Sequence, residues 1–157
     1  MPTIKVLTSD NNSINMDSTH VECLKLIHTL INEYNDDDDD ICLHDDDIIE
    51  LPLDVDIYTM NKILEVVYYE FHNKNKNMTE QDYYNWYNDY FTDNYDTLHT
   101  ILDKADYLEY DKLVDLGCER IANDIKSCKG IEEVKQKLDL KREITREEEN
   151  ELLNLYK

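Results

Sequence analysis

Glycine and proline are scarce in this chain, with two of each in 157 residues. So few turn formers argue against an all-β fold built on tight hairpins and favour helices. Two glycines are too few for a G-x-G-x-x-G, and Gly117 and Gly130 stand too far apart for a Walker-type segment, so a glycine-rich phosphate loop is excluded. No apolar stretch approaches the ~18 residues that a membrane-spanning helix needs. Met1-Pro2-Thr3-Ile4-Lys5 leads into an alternating run rather than a signal peptide. The four cysteines, Cys23, Cys42, Cys118 and Cys128, include no C-x-x-C pair. We therefore expect an intracellular protein, cytoplasmic or nuclear, with reduced thiols.

Positive charge is also short. Sixteen basic residues face 37 acidic ones, for a formal net charge of −21. A polyanion repels nucleic-acid phosphates and anionic lipid headgroups, so neither nucleic acid nor membrane is expected as a partner. The imbalance is uneven. Residues 1–97 carry 22 acidic and 5 basic side chains, and residues 98–157 carry 15 and 11. The amino-terminal part should attract a basic surface. The carboxy-terminal part must bind by something other than bulk charge. Hydrophobic residues make up 41% of the chain, enough for one core.

Ile4 to Thr8 and Ile14 to Met16 alternate around the turn chemistry of Ser9-Asp10-Asn11-Asn12, which predicts an opening hairpin. Asp17 or Ser18 is placed to cap a helix whose stripe is Leu24, Ile27, Ile31 and Tyr34. Two aspartate runs, 36–40 and 45–47, should stay solvated and flexible by self-repulsion. Ile48 to Pro52 reads as a third strand. Asp56 then caps a helix buried through Met60, Ile63, Leu64, Val67, Tyr68 and Phe71. Tyr83, Trp86, Tyr87 and Tyr90 follow at helical spacing. A helix capped at Asp96-Thr97 points Leu98, Ile101, Leu102, Ala105 and Leu108 inward. The next, Lys112 to Lys126, uses Leu113, Leu116, Ile121, Ala122 and Ile125. Beyond Gly130 lie a short helix with Val134 and Leu138 inward and a last one opened by the capping box Thr145-x-x-Glu148 and carrying Leu152, Leu153 and Tyr156. Strands mixed with helices, then helices alone, make an α+β chain.

Sites of catalysis or metal binding are thinly supported. The aspartate runs lack the glycine turn and the spaced glutamate of a calcium loop. Cys42-x-His44 supplies two donors where zinc needs four, and no second pair stands at ligand spacing. Cys118 falls on an apolar helical face and reads as a small core residue. Pairing it with His99 as nucleophile and base has nothing else to carry it. The Tyr83–Tyr90 aromatics read as packing, with part of the cluster exposed. No catalytic group, cofactor or metal is expected.

Certain strings in this order resemble the BTB/POZ-like adaptors of ubiquitin ligases, and most closely the S-phase kinase-associated protein 1 family. They are the opening Ile4-Lys5-Val6 with Ser9-Asp10, Leu51-Pro52, and Trp86 with Tyr90. The strongest follow: Thr97-Leu98, Ala105-Asp106-Tyr107-Leu108, Leu113-Val114-Asp115, Cys118, Ala122-Asn123, Ile125-Lys126, Glu132-Glu133-Val134, Leu138-x-Leu140 and Ile144-Thr145-x-Glu147-Glu148-Glu149. About 45 residues continue past the Ala-x-x-Leu helix, where elongin C stops. The chain departs from the family in having Asp106 for an asparagine, an extra residue near Gly130 without the expected proline, and no Trp-Cys-containing tail.

The resemblance implies a BTB/POZ-like domain with a small three-stranded sheet over residues 1–125, and a helical extension over 126–157. It implies a non-enzymatic adaptor joining an F-box protein to a cullin. The F-box surface would use Leu98, Val114, Ile121, Ile125, Val134, Leu138 and Leu140, and the cullin surface would include Asp106 and Tyr107. The rival reading is a regulatory decoy that keeps one of these surfaces and loses the other. A third is a weak homodimer of the unpartnered chain.

Overall fold

The computed structural model describes residues 3–36, 47–92, 94–138 and 145–155. Leu140, Tyr156, the Cys42-x-His44 pair and most of the aspartate segment expected to be flexible lie outside the described residues, as does the Tyr34 side chain. Three strands, β1 (Thr3–Leu7), β2 (Ser13–Asp17) and β3 (Ile48–Pro52), form one sheet in the order β2-β1-β3. β1 pairs antiparallel with β2 and parallel with β3. Ile4 sits opposite both Met16 and Ile49, and Val6 opposite Ile14 and Leu51. All of these face the core except the half-exposed Ile14, while Lys5 and Glu50 pair on the outer face at 2.7 Å. A one-residue slip would carry that charged row inward, so the alternation fixes the register.

The β1–β2 turn is closed by Thr8, whose hydroxyl donates to Asp10 and accepts the Asn12 N–H. Asn11 takes the left-handed conformation there, at φ 62. Asp10 also accepts the Ile57 N–H, tying the hairpin to the start of α2 (Ile57–Asn73). Asp17 does cap, but it caps a 3₁₀ turn, Ser18–Cys23. Leu24 is then extended, and α1 begins only at Lys25 (Lys25–Asp36). The i, i+3 spacing of buried Val21 and Leu24 suits the tighter helix.

α2 buries Met60, Ile63, Leu64, Val66 and Val67. Tyr68 is half-buried, and Phe71 is 41% exposed rather than inward. The stripe runs past the end of the core there, and the Phe71 ring packs edge-on against His20. α3 (Glu80–Tyr90) opens on a Thr79–Asp82 capping box and lays Trp86 flat between Tyr69 and Tyr90.

α4 (Tyr95–Tyr107) is capped by Asn94, not by Asp96-Thr97. Tyr95 packs on the core and hydrogen-bonds Asp124, so the first turn must include it. α5 (Asp111–Ser127), α6 (Ile131–Lys137) and α7 (Arg146–Leu155) complete the described chain. α5 packs on α4, and Gly117 lies directly against Leu102 of that helix. The protein is an α+β chain with a small three-stranded sheet and a helical carboxy-terminal part, consistent with a BTB-like fold.

Candidate partner-binding surfaces

The first surface is the carboxy-terminal corner of α4. Ala105 and Leu108 are fully buried and pin the last turn, so Asp106 and Tyr107 between them must project. The turn is closed by the Tyr110 N–H to the Ala105 carbonyl at 2.8 Å and the Glu109 N–H to the Asp106 carbonyl at 2.9 Å. Glu109 stands between them at φ 57. This is a Schellman cap built without glycine. Tyr107 is 40% exposed. Its hydroxyl accepts the Asp54 N–H at a long 3.5 Å, and the Lys104 ammonium lies over its ring at 5.6 Å. Lys104 also pairs with Asp54 at 3.3 Å. The loop before α2 thus meets the hydroxyl and Lys104 the ring, while much of the side chain stays open to solvent, the profile of an interface anchor.

The second surface begins on α5, whose sides have separate tasks. At about 100° per residue, Leu113 and Gly117 face α4, and both are buried. Val114, Cys118, Ile121 and Ile125, spaced 4, 3 and 4, form a stripe on a neighbouring side. Val114, Ile121 and Ile125 are half-buried and Cys118 is exposed. Cys118 is therefore not the core residue its apolar neighbours suggested, because the core takes the Leu113–Gly117 side. Its candidate base, His99, is exposed on α4.

α6 folds back against the end of α5. Val134 is fully buried, Cys128 donates to the Asp124 carbonyl, and Lys137 reaches Ser127 at 2.9 Å. Leu138 follows, half-buried. The capping box of α7 forms both ways. The Thr145 N–H donates to the Glu148 carboxylate at 2.9 Å, and the Glu148 N–H donates to the Thr145 hydroxyl at 3.3 Å. On α7, Leu152 is half-buried and Leu153 is 46% exposed.

Of the residues assigned to the F-box surface, Val114, Ile121, Ile125 and Leu138 reach solvent in the unpartnered chain. Leu98 and Val134 lie beneath it, 4% and 0% exposed. Cys118 belongs with the stripe and was passed over. Its spacing from Val114 and Ile121 was the available signal, and it points to a core or to an interface equally.

Residues 111–156 match the model of the Skp1 family, dimerisation domain. That match supports assigning the chain to the Skp1 family. Members of the Skp1 family are adaptors rather than enzymes, and the match supports an adaptor role in SCF ubiquitin ligases in general. The match opens at Asp111, the first residue of α5, and so takes in the whole apolar stripe together with α6 and α7. The sheet and α1 to α4, with the Tyr107 corner, precede it.

Proposed function

We propose that this chain bridges an F-box substrate receptor to a cullin scaffold, binding the receptor through α5 to α7 and the cullin through the Tyr107 corner. The observation that carries this reading is the stripe Val114, Cys118, Ile121 and Ile125. It is an apolar helical face only half-buried, with Val114 and Ile121 resting on the core and Cys118 exposed, and Leu138, Leu152 and Leu153 add partly open apolar side chains on the elements that follow. Apolar surface gathered in this way favours a helix-in-groove partner. Residues 126–157 complete that surface.

The chain donates no catalytic group. It acts by fixing the distance and angle between substrate and ubiquitin-charged enzyme, which raises their effective concentration. Rigidity between the two surfaces is therefore the functional quantity. The α4–α5 contact and the Schellman turn at Glu109 provide it.

The test is co-precipitation with an F-box protein and with a cullin, singly and then together. Bridging predicts capture of each and a ternary complex. Capture of the F-box protein alone at low salt would leave the decoy as the function. In that case Asp106, exposed where the family has a neutral amide, is the residue to revert to asparagine.

A further inference from the structure

A cleft of about 470 Å³ opens between α3 and α5, away from both surfaces described above. Its α5 wall is made by Lys112, Leu116, Glu119, Arg120, Asn123 and Asp124. At about 100° per residue these positions centre on the side of α5 opposite Val114, Cys118, Ile121 and Ile125. A partner covering the apolar stripe would leave the cleft open.

The α3 wall is aromatic. Tyr87 is buried, Tyr83 half-buried, and the Tyr84 ring is 65% exposed at the mouth. Phe91 and Leu116 add apolar lining. Two cations border the cleft, and both are already matched. Lys112 pairs with the largely buried Glu70, which also accepts the Tyr87 hydroxyl. Arg120 spans the cleft, donating to Asp124 at 3.2 Å and to Asn88 at 2.8 Å. Among the described residues no cation pairs with Glu119, which is exposed on the rim. The lining itself holds two cations and two carboxylates, and Glu119 is the one of the four without an ion-pair partner, on a chain of net charge −21.

Open tyrosine faces beside an unmatched carboxylate favour a cation with a flat, weakly hydrated head and an apolar stem. We propose that this cleft is a second docking site, taking an arginine side chain from a basic segment of a partner protein. The guanidinium stacks on Tyr84 and pairs with Glu119, while its stem lies along Leu116. The charge already matched at Lys112 and Arg120 keeps the floor from repelling it. This site is independent of F-box and cullin binding.

The probe is the peptide acetyl-Gly-Ser-Arg-Ser-Gly-amide, with its citrulline counterpart as the neutral isostere. Binding to the full chain is followed by amide chemical shifts at about 0.15 M ionic strength, which damps long-range attraction. Saturable shifts are expected at Tyr84, Glu119 and Asn123. The citrulline peptide should bind at least about tenfold more weakly, the loss expected of a charge-assisted pair.

The exposed Tyr84 can be changed without threatening the fold. Tyr84→Ala should weaken binding about fivefold, and Tyr84→Phe should restore it, because the ring face and not the hydroxyl is used. Neither change alters net charge, so general attraction to a polyanion is unaffected. Three results would each overturn the proposal: equal affinity of wild type and Tyr84→Ala, equal binding of the citrulline peptide, or shifts scattered over the acidic surface.

Discussion

Gly117 packs directly beneath Leu102, and a Cβ at this glycine would overlap the Leu102 Cγ and both its methyl groups. Leu102 is 9% exposed and has little room to withdraw. Glycine here is a matter of space, since its backbone is ordinary helix. Alanine would gain about 1 kcal/mol of helix propensity, while overpacking costs about 1–3 kcal/mol. Gly117→Ala should therefore destabilise the chain by roughly 1 kcal/mol, and Gly117→Val by more. Thermal melting checks both. The same variants should weaken F-box capture, because the stripe on α5 moves with the helix.

Glu109 sits in the left-handed region at φ 57, where a side chain costs about 1 kcal/mol relative to glycine. Glu109→Gly is expected to raise stability by about that amount in denaturant titrations, with no change of slope. Glu109→Val should lower it, since a β-branched residue fits that conformation worst.

Tyr107→Lys should remove cullin capture and spare F-box capture. Tyr107 lies on α4 away from Val114, Ile121 and Ile125, and its neighbours Ala105 and Leu108 keep the turn in place. Cullin binding by the wild-type chain should weaken as salt rises, because the acidic amino-terminal part supplies the attraction. Loss of both partners in Tyr107→Lys would mean that the corner and the stripe are one surface.

F-box binding should protect residues 131–157 from proteolysis, because a partner would cover the half-buried Leu152 and the exposed Leu153. Ile125→Asp should abolish that protection and F-box capture while changing the melting temperature little, since Ile125 is half-buried and stands apart from the core cluster, whereas Ile121 packs against that cluster and its loss would also cost stability. A large fall in melting temperature would instead make the stripe part of the core.

Stability should fall at both ends of the pH range. The Thr8 hydroxyl and the Ile57 N–H hold the Asp10 carboxyl below its usual value of 3.8, and the Thr79 hydroxyl does the same for Asp82. At Asp56 burial pushes upward, but hydrogen bonds from Thr59 prevail and lower it. Carboxyls depressed in the folded state stabilise it above about pH 3.8, and that contribution is lost as pH falls further. Burial and the bond to Glu70 raise the Tyr87 phenol, and burial and Asp124 raise Tyr95. Groups raised in the folded state stabilise it fully below about pH 10 and lose that contribution as pH climbs beyond. Mild acid relieves the self-repulsion of a −21 chain, so the melting temperature should peak between about pH 4 and 6. Tyr87→Phe should flatten the alkaline fall.

Long periodic segments were legible in the sequence. Ile4 and Val6, Ile49 and Leu51, and the face Leu98-Ile101-Leu102-Ala105-Leu108 all turn inward as their spacing requires. Boundaries were less so. Asn94, Asp96 and Thr97 are all good caps, and only the packing of Tyr95 selects among them. The exposure of Cys118 and Phe71 was not legible, because an apolar stripe carries no mark of where the core ends. Nor was the α3–α5 cleft, since its walls are 30 or so residues apart and meet only through the fold. The parallel pairing of β3 with β1 is likewise a long-range choice that the alternation of neither strand encodes.

Trp86 is the chain's single tryptophan, and it is sandwiched between Tyr69 and Tyr90 on the α2–α3 side. Its fluorescence is thus an optical report on one seam of the molecule and is blind to α6 and α7. Circular dichroism, by contrast, weighs every helix alike. If the carboxy-terminal helices loosen before the rest, the ellipticity curve will start to fall while the emission stays flat. Coincident curves would instead mark a chain that melts as one unit.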